Sequence, residues 1–362
     1  MASHDIIVVG ASAGGVEALR DLVRGLPSDL PAAVLVVLHV SPDHKSILPR
    51  ILTGAGPLPA EHAEDGEPLE PGRIYVAPPD RHLVVDHWVV RLTRSPPEGG
   101  HRPAIDTLFR TAARFHGARV VGVILSGALD DGTAGLVAVK QRGGVSVVQD
   151  PDEALCADMP RSALSNVKVD HCLPTAQIAA LLDKLAHEEV EVHSPVPPLL
   201  EQETDIALER RREGEPPPGN PSELACPACG GVLNEVHDGH LLRFRCRVGH
   251  AYGLASLGAE QQDRLEAALW AAMRALEDQA SLHHRLAKRA HDHGHPRSAA
   301  HFDRRGNAAR EHAKNVREVL NRAERFVPDD VQARDPAGAP DRPLRAGTRS
   351  GAPLRPPHGS ER

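Results

Sequence analysis

The fold of the first half of the chain is decided by the stretch Ile6-Ile7-Val8-Val9-Gly10-Ala11-Ser12-Ala13-Gly14-Gly15. Four β-branched residues in a row are typical of a strand that is buried on both faces, as in a parallel sheet. The glycines then permit a sharp turn into a helix, predicted over residues 16–26. The turn fits Gly-x-Ser-x-Gly, the nucleophile elbow, with Ser12 as the candidate nucleophile. A phosphate-binding turn needs the same glycines, but the spacing here is not Gly-x-Gly-x-x-Gly and no Lys-Ser or Lys-Thr follows.

Similar apolar runs alternate with helical patterns up to about residue 186. The runs predict strands over residues 34–38, 120–125 and 145–148, and the helical patterns lie at 105–115 and 177–185. Strands that alternate with helices imply right-handed crossovers. The fold class predicted is therefore α/β, with a doubly wound, mainly parallel sheet in an α/β/α sandwich.

Two further candidate groups follow predicted strand ends. His39 ends the second strand, where a dinucleotide site would have an acidic residue. Asp130 and Asp131 follow the strand at 120–125, and one of them can orient an imidazole. Catalytic groups gather at the carboxyl ends of parallel strands, so we expect Ser12, His39 and one aspartate to lie together. The alternatives are a plain loop histidine and an Asp-Asp-Gly turn or helix cap.

With these residues in place, the first half resembles the catalytic domain of the CheB protein-glutamate methylesterases of bacterial chemotaxis. The resemblance covers residues 5 to about 186 and rests on His39, Ser126-Gly127 and the blocks 10–15 (GASAGG), 72–82 (GRIYVAPPDRH), 102–109 (RPAIDTLF), 131–136 (DGTAGL), 143–150 and 159–163 (MPRSA). It implies Ser12 as nucleophile, His39 as base and Asp131 as the group that orients the base. The oxyanion is expected on backbone amides near Ala13 and Ala128.

The resemblance also implies a substrate and a mechanism. The expected reaction is hydrolysis of glutamate γ-methyl esters on a methyl-accepting chemoreceptor or similar sensory protein, through an acyl-enzyme. Deamidation of glutamine is allowed as a side activity, and no cofactor is expected for catalysis. The family usually has a phosphorylatable receiver domain in front of the esterase. Because the esterase pattern begins here at residue 5, we expect no control by an aspartyl phosphate within this chain.

The chain departs from the family pattern at positions beside the expected site. Ala13 stands where threonine is common, and Leu38 stands where a glutamine often precedes the histidine. The loop Gly127-Ala128-Leu129 stands where Gly-Met-Gly is common. These departures leave the triad intact and are expected to change the hydrogen bonds near the oxyanion and near His39.

Composition argues against several other classes of protein. The chain has 42 Lys+Arg and 49 Asp+Glu, for a net charge of −7, which does not favour nucleic-acid binding. The amino terminus lacks the basic region of a signal peptide, and the apolar runs are too short to span a bilayer. We therefore expect a cytoplasmic protein without membrane insertion, whose five cysteines are reduced.

The sequence predicts five segments. They are a methylesterase-like domain at 1–187, a Pro/Glu/Arg-rich linker at 188–224, a zinc-ribbon-like unit at 225–252, a helical hairpin at 253–327 and a disordered tail at 328–362. One short helix is expected in the linker, around 199–212. The linker is expected to decouple the two halves, so that the region after 187 targets or regulates the enzyme without contributing to catalysis. The hairpin is expected to mediate self-association or docking to a partner's helices.

The zinc-ribbon-like unit is predicted from its cysteine spacing. Cys226 and Cys229 form C-x2-C, and Cys246 and His250 form C-x3-H after a hairpin that turns at 238–239. Two such pairs are typical of a tetrahedral Cys3His zinc site. A unit this small has too little core to fold alone, so the metal would supply stability. Two other histidines at the turn, His237 and His240, are weaker candidates for the fourth ligand, and Cys156 and Cys172 are expected to be inert thiols.

Two other functions compete with the esterase. One is a non-catalytic signalling scaffold that binds receptor helices, and the other is a carboxylesterase for small molecules. The intact set of Ser12, His39 and Asp131 argues against the scaffold. The absence of a lid-like apolar insertion near the elbow argues against the small-molecule esterase.

Overall fold

The structure, a computed structural model, describes residues 2–41, 46–191, 195–212 and 214–323. Its strands are β1 Ala2–Ser3, β2 Ile6–Ala11, β3 Ala33–Leu38, β4 Ala60–His62, β5 Ile74–Val76, β6 His82–Asp86, β7 Val89–Thr93, β8 Val120–Ile124, β9 Val145–Gln149, β10 His171–Leu173, β11 Glu189–Val190, β12 Asn220–Ala225, β13 Val232–Asp238, β14 Leu241–Cys246 and β15 Ala251–Tyr252. Its helices are α1 Gly15–Arg24, α2 Leu48–Ala55, α3 Ile105–His116, α4 Thr133–Gln141, α5 Asp158–Asn166, α6 Thr175–Ala186, α7 Pro198–Ala207, α8 Leu254–Asp292 and α9 Pro296–Ala323. The tail predicted to be disordered, 328–362, lies outside the described residues.

The main sheet has seven strands in the order β10-β9-β8-β2-β3-β5-β4. Every neighbouring pair in this sheet is parallel. The first strand of this sheet along the chain is β2, in the middle of the sheet. The next strands, β3, β4 and β5, form one side of the sheet, and the chain then crosses to the other side of β2 with β8. The predicted doubly wound α/β fold is confirmed, and its topological switch point lies at β2.

Both faces of the sheet are covered by helices. In β2, Ile7, Val9 and Ala11 belong to the apolar core on one face, where α1, α2 and α6 pack. Ile6 and Val8 belong to the core on the other face, with side chains from α3, α4 and α5. A strand whose alternate side chains enter two cores must be apolar throughout, which explains the unbroken Ile-Ile-Val-Val run.

Two elements between β5 and α3 were not predicted from the sequence. β6 and β7 form an antiparallel hairpin of their own, in the register His82 opposite Thr93 to Asp86 opposite Val89. The hairpin is followed by a loop that returns the chain to α3 through a cis peptide bond between Arg102 and Pro103.

The linker does not decouple the two halves, so that expectation is wrong. Its helix α7 buries Leu200 in the core of the sheet. Glu203, 1% exposed, accepts hydrogen bonds from Arg243 at 2.7 and 2.8 Å and from Arg245 at 3.1 Å, both on β14. Burial alone would raise the pKa of Glu203, but the nearby arginines outweigh it and lower that pKa. The segment boundaries at 187, 224, 252 and 327 stay predictions.

The four strands β12 to β15 form an antiparallel sheet, which we call the ribbon. Its β13 and β14 pair from Leu233 opposite Cys246 to Asp238 opposite Leu241, around the predicted turn. The ribbon has a small core of its own, made of Cys226, Leu233, Phe244, Cys246, Tyr252 and Leu257.

The chain divides into two compact units, Met1–Ala268 and Leu269–Arg362. The first contains the parallel sheet, α7, the ribbon and the start of α8. In the second, the rest of α8 and α9 pack through Met273, Ala313 and Leu320, as expected for a helical hairpin. Among the described helices, none combines the length and the apolar content needed to cross a membrane.

Candidate active site

Ser12, His39 and Asp131 lie together at the carboxyl edge of the sheet. Ser12 follows β2, His39 follows the neighbouring β3, and Asp131 lies in the loop after β8 on the other side of β2. The His39 Nδ1 is 3.1 Å from the Ser12 Oγ, and its Nε2 is 2.8 Å from an oxygen of Asp131. The structure therefore brings the three candidate residues into one hydrogen-bonded chain at the switch point, where open α/β sheets bind their ligands.

The turn that presents Ser12 depends on close backbone packing. Gly14 has a φ of 72°, a conformation that glycine adopts at little cost, and α1 begins at the next residue. Gly127, on the loop after β8, lies against the nucleophile, because a Cβ there would come within 2.9 Å of the Ser12 Cβ. The two glycines let Ser12 sit between the start of α1 and the loop that carries Asp131.

Ser126 fixes this turn and was missed as a site residue from the sequence. Its carbonyl accepts the Ser12 N–H at 2.9 Å, and its Oγ donates to the carbonyl of Ala13 at 2.7 Å. Because the Ser12 amide is already bonded, it is not available to an oxyanion. The next amide along the chain is that of Ala13, which lies in the exposed turn before α1.

Asp131 is held as a carboxylate. It accepts hydrogen bonds from the backbone amides of Ile105 at 2.8 Å, Asp106 at 2.9 Å and Gly132 at 2.8 Å. Burial would raise its pKa, but the hydrogen bond to His39 and these amides outweigh burial and lower the pKa to about 2. A carboxylate only accepts hydrogen bonds, so the His39 Nε2 carries the proton and its Nδ1 faces Ser12 as an acceptor.

The neighbouring Asp130 points elsewhere. Its carboxylate accepts the backbone N–H groups of Ala255 at 2.9 Å and Ser256 at 3.3 Å, in the first turn of α8. It packs directly on Gly253, where a Cβ would lie 2.2 Å from a carboxylate oxygen. The sequence left both aspartates open before the family resemblance, and the geometry distinguishes a triad-like Asp131 from a helix-capping Asp130.

A second carboxyl, Asp106, lies beside Asp131, and its pKa is shifted in the opposite direction. Burial and the charge of Asp131 raise the pKa of Asp106 to about 8. Its Oδ1 accepts the Gly135 N–H at 2.6 Å. Two neighbouring buried carboxylates repel each other, so ionisation of Asp131 favours a protonated Asp106, although Arg110, 3.8 Å from the other oxygen of Asp106, opposes this effect.

Two histidines near the candidate triad were also missed from the sequence. The ring of His101 stacks on His39, with the ring centroids 3.8 Å apart and the planes 13° from parallel. Burial and then the His39 ring lower the pKa of His101, which keeps it uncharged at neutral pH. Burial also lowers the pKa of His82 to about 4, and its Nδ1 accepts the Ala104 N–H at 3.2 Å. His101 directly precedes the block at 102–109, which was the available signal.

The departures from the family pattern have local consequences. Leu129 has a φ of 64°, a left-handed conformation that costs a residue with a Cβ about 1 kcal/mol and that glycine adopts freely. Leu38 is buried at the end of β3, and the side chain of Ala13 faces solvent. Neither alanine expected at the oxyanion, Ala13 or Ala128, offers a polar side chain, so any oxyanion support there comes from the backbone.

The ribbon brings together a possible metal site. The Sγ atoms of Cys226, Cys229 and Cys246 and a ring nitrogen of His250 lie within 4.8 Å of one another. The Cys229 and Cys246 sulfurs are 3.7 Å apart, and the His250 Nδ1 is 3.5 Å from Cys246 and 3.7 Å from Cys226. A tetrahedral zinc site with usual bond lengths has S–S edges of about 3.8 Å and S–N edges of about 3.6 Å. The donor set therefore fits a metal of this kind, and the cluster includes neither His237 nor His240.

Comparison with known proteins bears on this fold and site. The CheB methylesterase family matches residues 7–182. "Protein-glutamate methylesterase/protein-glutamine glutaminase 2" of Anaeromyxobacter dehalogenans is 39% identical over 181 residues, which are 50% of this chain and 53% of that protein. A "putative protein-glutamate methylesterase/protein-glutamine glutaminase" of Leptospira interrogans is 35% identical over 190 residues, 52% of this chain and 98% of the relative. The crystal structure of the Thermotoga maritima CheB methylesterase catalytic domain is 33% identical, covers 50% of this chain and 98% of that one, and gives a TM-score of 0.49.

The fold and the site define a doubly wound α/β protein with a Ser-His-Asp arrangement at its switch point. The chain belongs to the CheB methylesterase family, so the resemblance inferred from the motifs is confirmed. The chain spans about half the length of relatives such as those of Anaeromyxobacter dehalogenans and Burkholderia lata. Both of these relatives are named protein-glutamate methylesterase/protein-glutamine glutaminase.

Proposed function

We propose that the chain is a protein-glutamate methylesterase that acts through Ser12, His39 and Asp131. The observation that carries the proposal is the continuous hydrogen-bonded chain from the Ser12 Oγ through His39 to Asp131. Membership of a family whose named relatives are protein-glutamate methylesterases supports the choice of reaction. The substrate we propose is a glutamate γ-methyl ester on a methyl-accepting chemoreceptor or similar sensory protein in the cytoplasm.

Each residue has a defined part in the proposed reaction. The His39 Nδ1 takes the proton of Ser12 as the Oγ attacks the ester carbonyl, and Asp131 stabilises the imidazolium that forms. The oxyanion is stabilised by the amide at Ala13 and by the loop at Ala128. His39 then returns the proton to the leaving methoxide, and methanol departs. Water activated by His39 hydrolyses the acyl-enzyme and restores Ser12.

The same steps accept an amide in place of the ester. Attack of Ser12 on a glutamine side chain would release ammonia instead of methanol and leave the same acyl-enzyme. We include glutamine deamidation as a second activity because the named relatives carry both activities in one name. A scaffold without catalysis is the less favoured alternative, since it gives no reason for the alignment of the three side chains.

The test is release of methanol from a methylated receptor fragment. Ser12→Ala and His39→Ala are expected to reduce turnover about 10⁴-fold or more, and Asp131→Asn somewhat less, because triad members act as a unit. Asp130→Asn is the matched control, since it changes the adjacent carboxylate that bonds to α8. Near-normal turnover by Ser12→Ala, or a larger loss in Asp130→Asn than in Asp131→Asn, would refute the assignment.

We further propose that Cys226, Cys229, Cys246 and His250 hold one structural zinc ion per chain. The fit of the donor distances to a tetrahedron and the small core of the ribbon support this proposal. Elemental analysis of the purified protein is expected to give one zinc per chain, and a metal-free protein with a folded ribbon would refute the site. The helical hairpin is proposed to dock a partner or a second copy, since Leu282 and Val319 are about half exposed on its surface.

A further inference from the structure

Two loops beside His39 are held by one short segment of the C-terminal half, residues 245–256. On one side, the Gly99 N–H donates to the carbonyl of Ala251 at 2.7 Å. On the other side, Ala255 and Ser256 donate to the carboxylate of Asp130. The family match ends at residue 182, so this segment lies outside the matched region.

The first of these loops also receives a buried ion pair from the ribbon. The Arg245 Nη2 donates to Glu98 at 2.8 Å, and the Arg110 side chain on α3 donates to the other oxygen of Glu98. The side chains of Arg245 and Glu98 are only 1% and 7% exposed. Attraction between such groups is weakly screened, so the pair fixes the position of Glu98.

Glu98 is connected to the triad by a tight turn. Glu98 and His101 exchange backbone hydrogen bonds, from the Glu98 N–H at 3.2 Å and from the His101 N–H at 2.9 Å. His101 at the end of this turn stacks on His39. A displacement of Glu98 would therefore move the ring against which His39 packs.

Arg245 lies next to two of the proposed metal ligands in the ribbon. Arg245 immediately precedes Cys246, and its Nη1 donates to the carbonyl of Gly249, next to His250, at 2.8 Å. The Cys246 N–H donates to the carbonyl of His250 at 3.0 Å. A metal bound to Cys246 and His250 would stabilise this turn and so fix the direction in which the Arg245 side chain extends from the ribbon.

We propose that Arg245 is a positioning residue for the esterase, through which the metal-bound ribbon holds Glu98 and the His101 ring against His39. The inference rests on the proposed function and adds that the ribbon is required for full turnover. Loss of the contact leaves Ser12 and Asp131 in place but lets the His39 ring leave the orientation that serves Ser12. Small errors in such an orientation are costly to the chemical step.

Arg243 provides a matched control. It is also a buried arginine of β14, at 5% exposure, and it forms a two-pronged ion pair with Glu203. Its ion pairs among the described residues are with Glu203 and Asp238, so it shares the burial of Arg245 without reaching Glu98. A purely structural role for this charge cluster predicts the same outcome for both arginines.

The experiment measures kcat and KM on p-nitrophenyl acetate for the full-length zinc-loaded protein, with zinc content and circular dichroism checked for each variant. Arg245→Met is expected to lower kcat about ten-fold with KM within about two-fold, and Arg243→Met to change kcat by less than about two-fold. Arg245→Lys is expected to recover part of the loss. Equal kcat values in the two methionine variants would overturn the proposal. A wild-type protein without Ser12-dependent hydrolysis would instead count against the proposed function.

A second measurement needs neither variant nor turnover. Amide hydrogen exchange of the wild-type protein is compared before and after the metal is removed with a chelator. The amides of Gly99 and His101 are expected to exchange at least about ten-fold faster without metal, while amides in β2 keep their protection. Unchanged exchange at Gly99 and His101 in a metal-free protein would overturn the link between the ribbon and the active site.

Discussion

The linker helix and the ribbon use charged residues differently from the helical hairpin. Glu203 and its partners Arg243 and Arg245 have side chains that are at most 5% exposed. In the hairpin, Arg317 and Glu277 lie 2.7 Å apart, yet their side chains are 57% and 49% exposed. Water screens the attraction between the two exposed side chains. Removal of one partner from the buried set instead leaves an uncompensated charge in the protein interior, which is costly in free energy. The distance between ionised groups alone thus says little about which pairs determine the structure.

The largest expected difference comes from shortening the chain at two places. A chain that ends at His187 keeps the pair of Glu98 with Arg110 but lacks Arg245 and the amides that bond Asp130, so its Ser12-dependent activity on a small ester is expected to fall about ten-fold or more. A chain that ends at Ala268 keeps those partners and is expected to stay within about two-fold of the full protein. Equal activity in the two shortened proteins would restore the idea, suggested by the sequence, that the region after 187 is dispensable for catalysis.

The next prediction concerns the buried carboxylate of the linker helix. Glu203→Gln is expected to lower the free energy of unfolding of the first unit by about 3–5 kcal/mol at pH 7, because it removes the charge that Arg243 and Arg245 share and leaves them only Asp238 and Glu98 as partners. The pKa of Glu203 is lowered in the folded protein, so the carboxylate stabilises above its unfolded pKa of about 4.3, and this is lost as pH falls through the folded pKa. Urea titrations at pH 7 and pH 3.5 should show the difference between wild type and variant narrowing in acid. A constant difference would contradict an ionised Glu203.

A pH dependence of opposite sign is expected at Asp106. Its folded pKa of about 8 lies above the unfolded value, so the folded protein binds a proton there that the unfolded chain releases. Stability should therefore fall as pH rises from about 4 to about 8. Asp106→Asn stays neutral and keeps an acceptor for Gly135, so it is expected to lose less stability than wild type over this pH range. Superimposable pH profiles of the melting temperature would show that Asp106 is ionised.

The smallest effect is expected in the hairpin. Glu277→Gln removes the charge partner of Arg317 at the surface and is expected to change the free energy of unfolding by less than about 0.5 kcal/mol. The residual effect should vanish in about 0.5 M salt, because exposed charges are screened there. A loss comparable to that of Glu203→Gln would end the distinction between the two regions.

The candidate triad could be predicted because each of its residues follows a strand whose apolar run is plain in the sequence. Ser12, His39 and Asp131 come after β2, β3 and β8, and parallel strands bring their carboxyl ends to one edge. The choice between Asp130 and Asp131 had no such basis. The two aspartates are adjacent in a polar loop, and their environments differ only once the chain is folded, where Asp130 bonds to α8 and Asp131 bonds to His39.

The contacts of the linker and ribbon could not be predicted in the same way. Residues 188–224 are rich in Glu, Arg and Pro, a composition that is typical of solvated linkers. Glu203 is nevertheless buried because its partners come from β14, 40 and 42 positions later in the chain. Glu98 and Arg245 are 147 positions apart. No local periodicity encodes such a pairing, and charged residues reveal their burial only when the elements that supply the opposite charge are in place.

The contact between Asp130 and α8 restricts how the catalytic domain and the C-terminal region can be recombined. A recombination event that joins this catalytic domain to a different C-terminal region would leave Asp130 without the amides of Ala255 and Ser256. Joining this C-terminal region to a different catalytic domain would place Gly253 beside a loop of another conformation. Gly253 has no room for a side chain in its present surroundings. The two parts are therefore expected to be exchanged among relatives together, with Glu98, Asp130, Arg245 and Gly253 varying as a group.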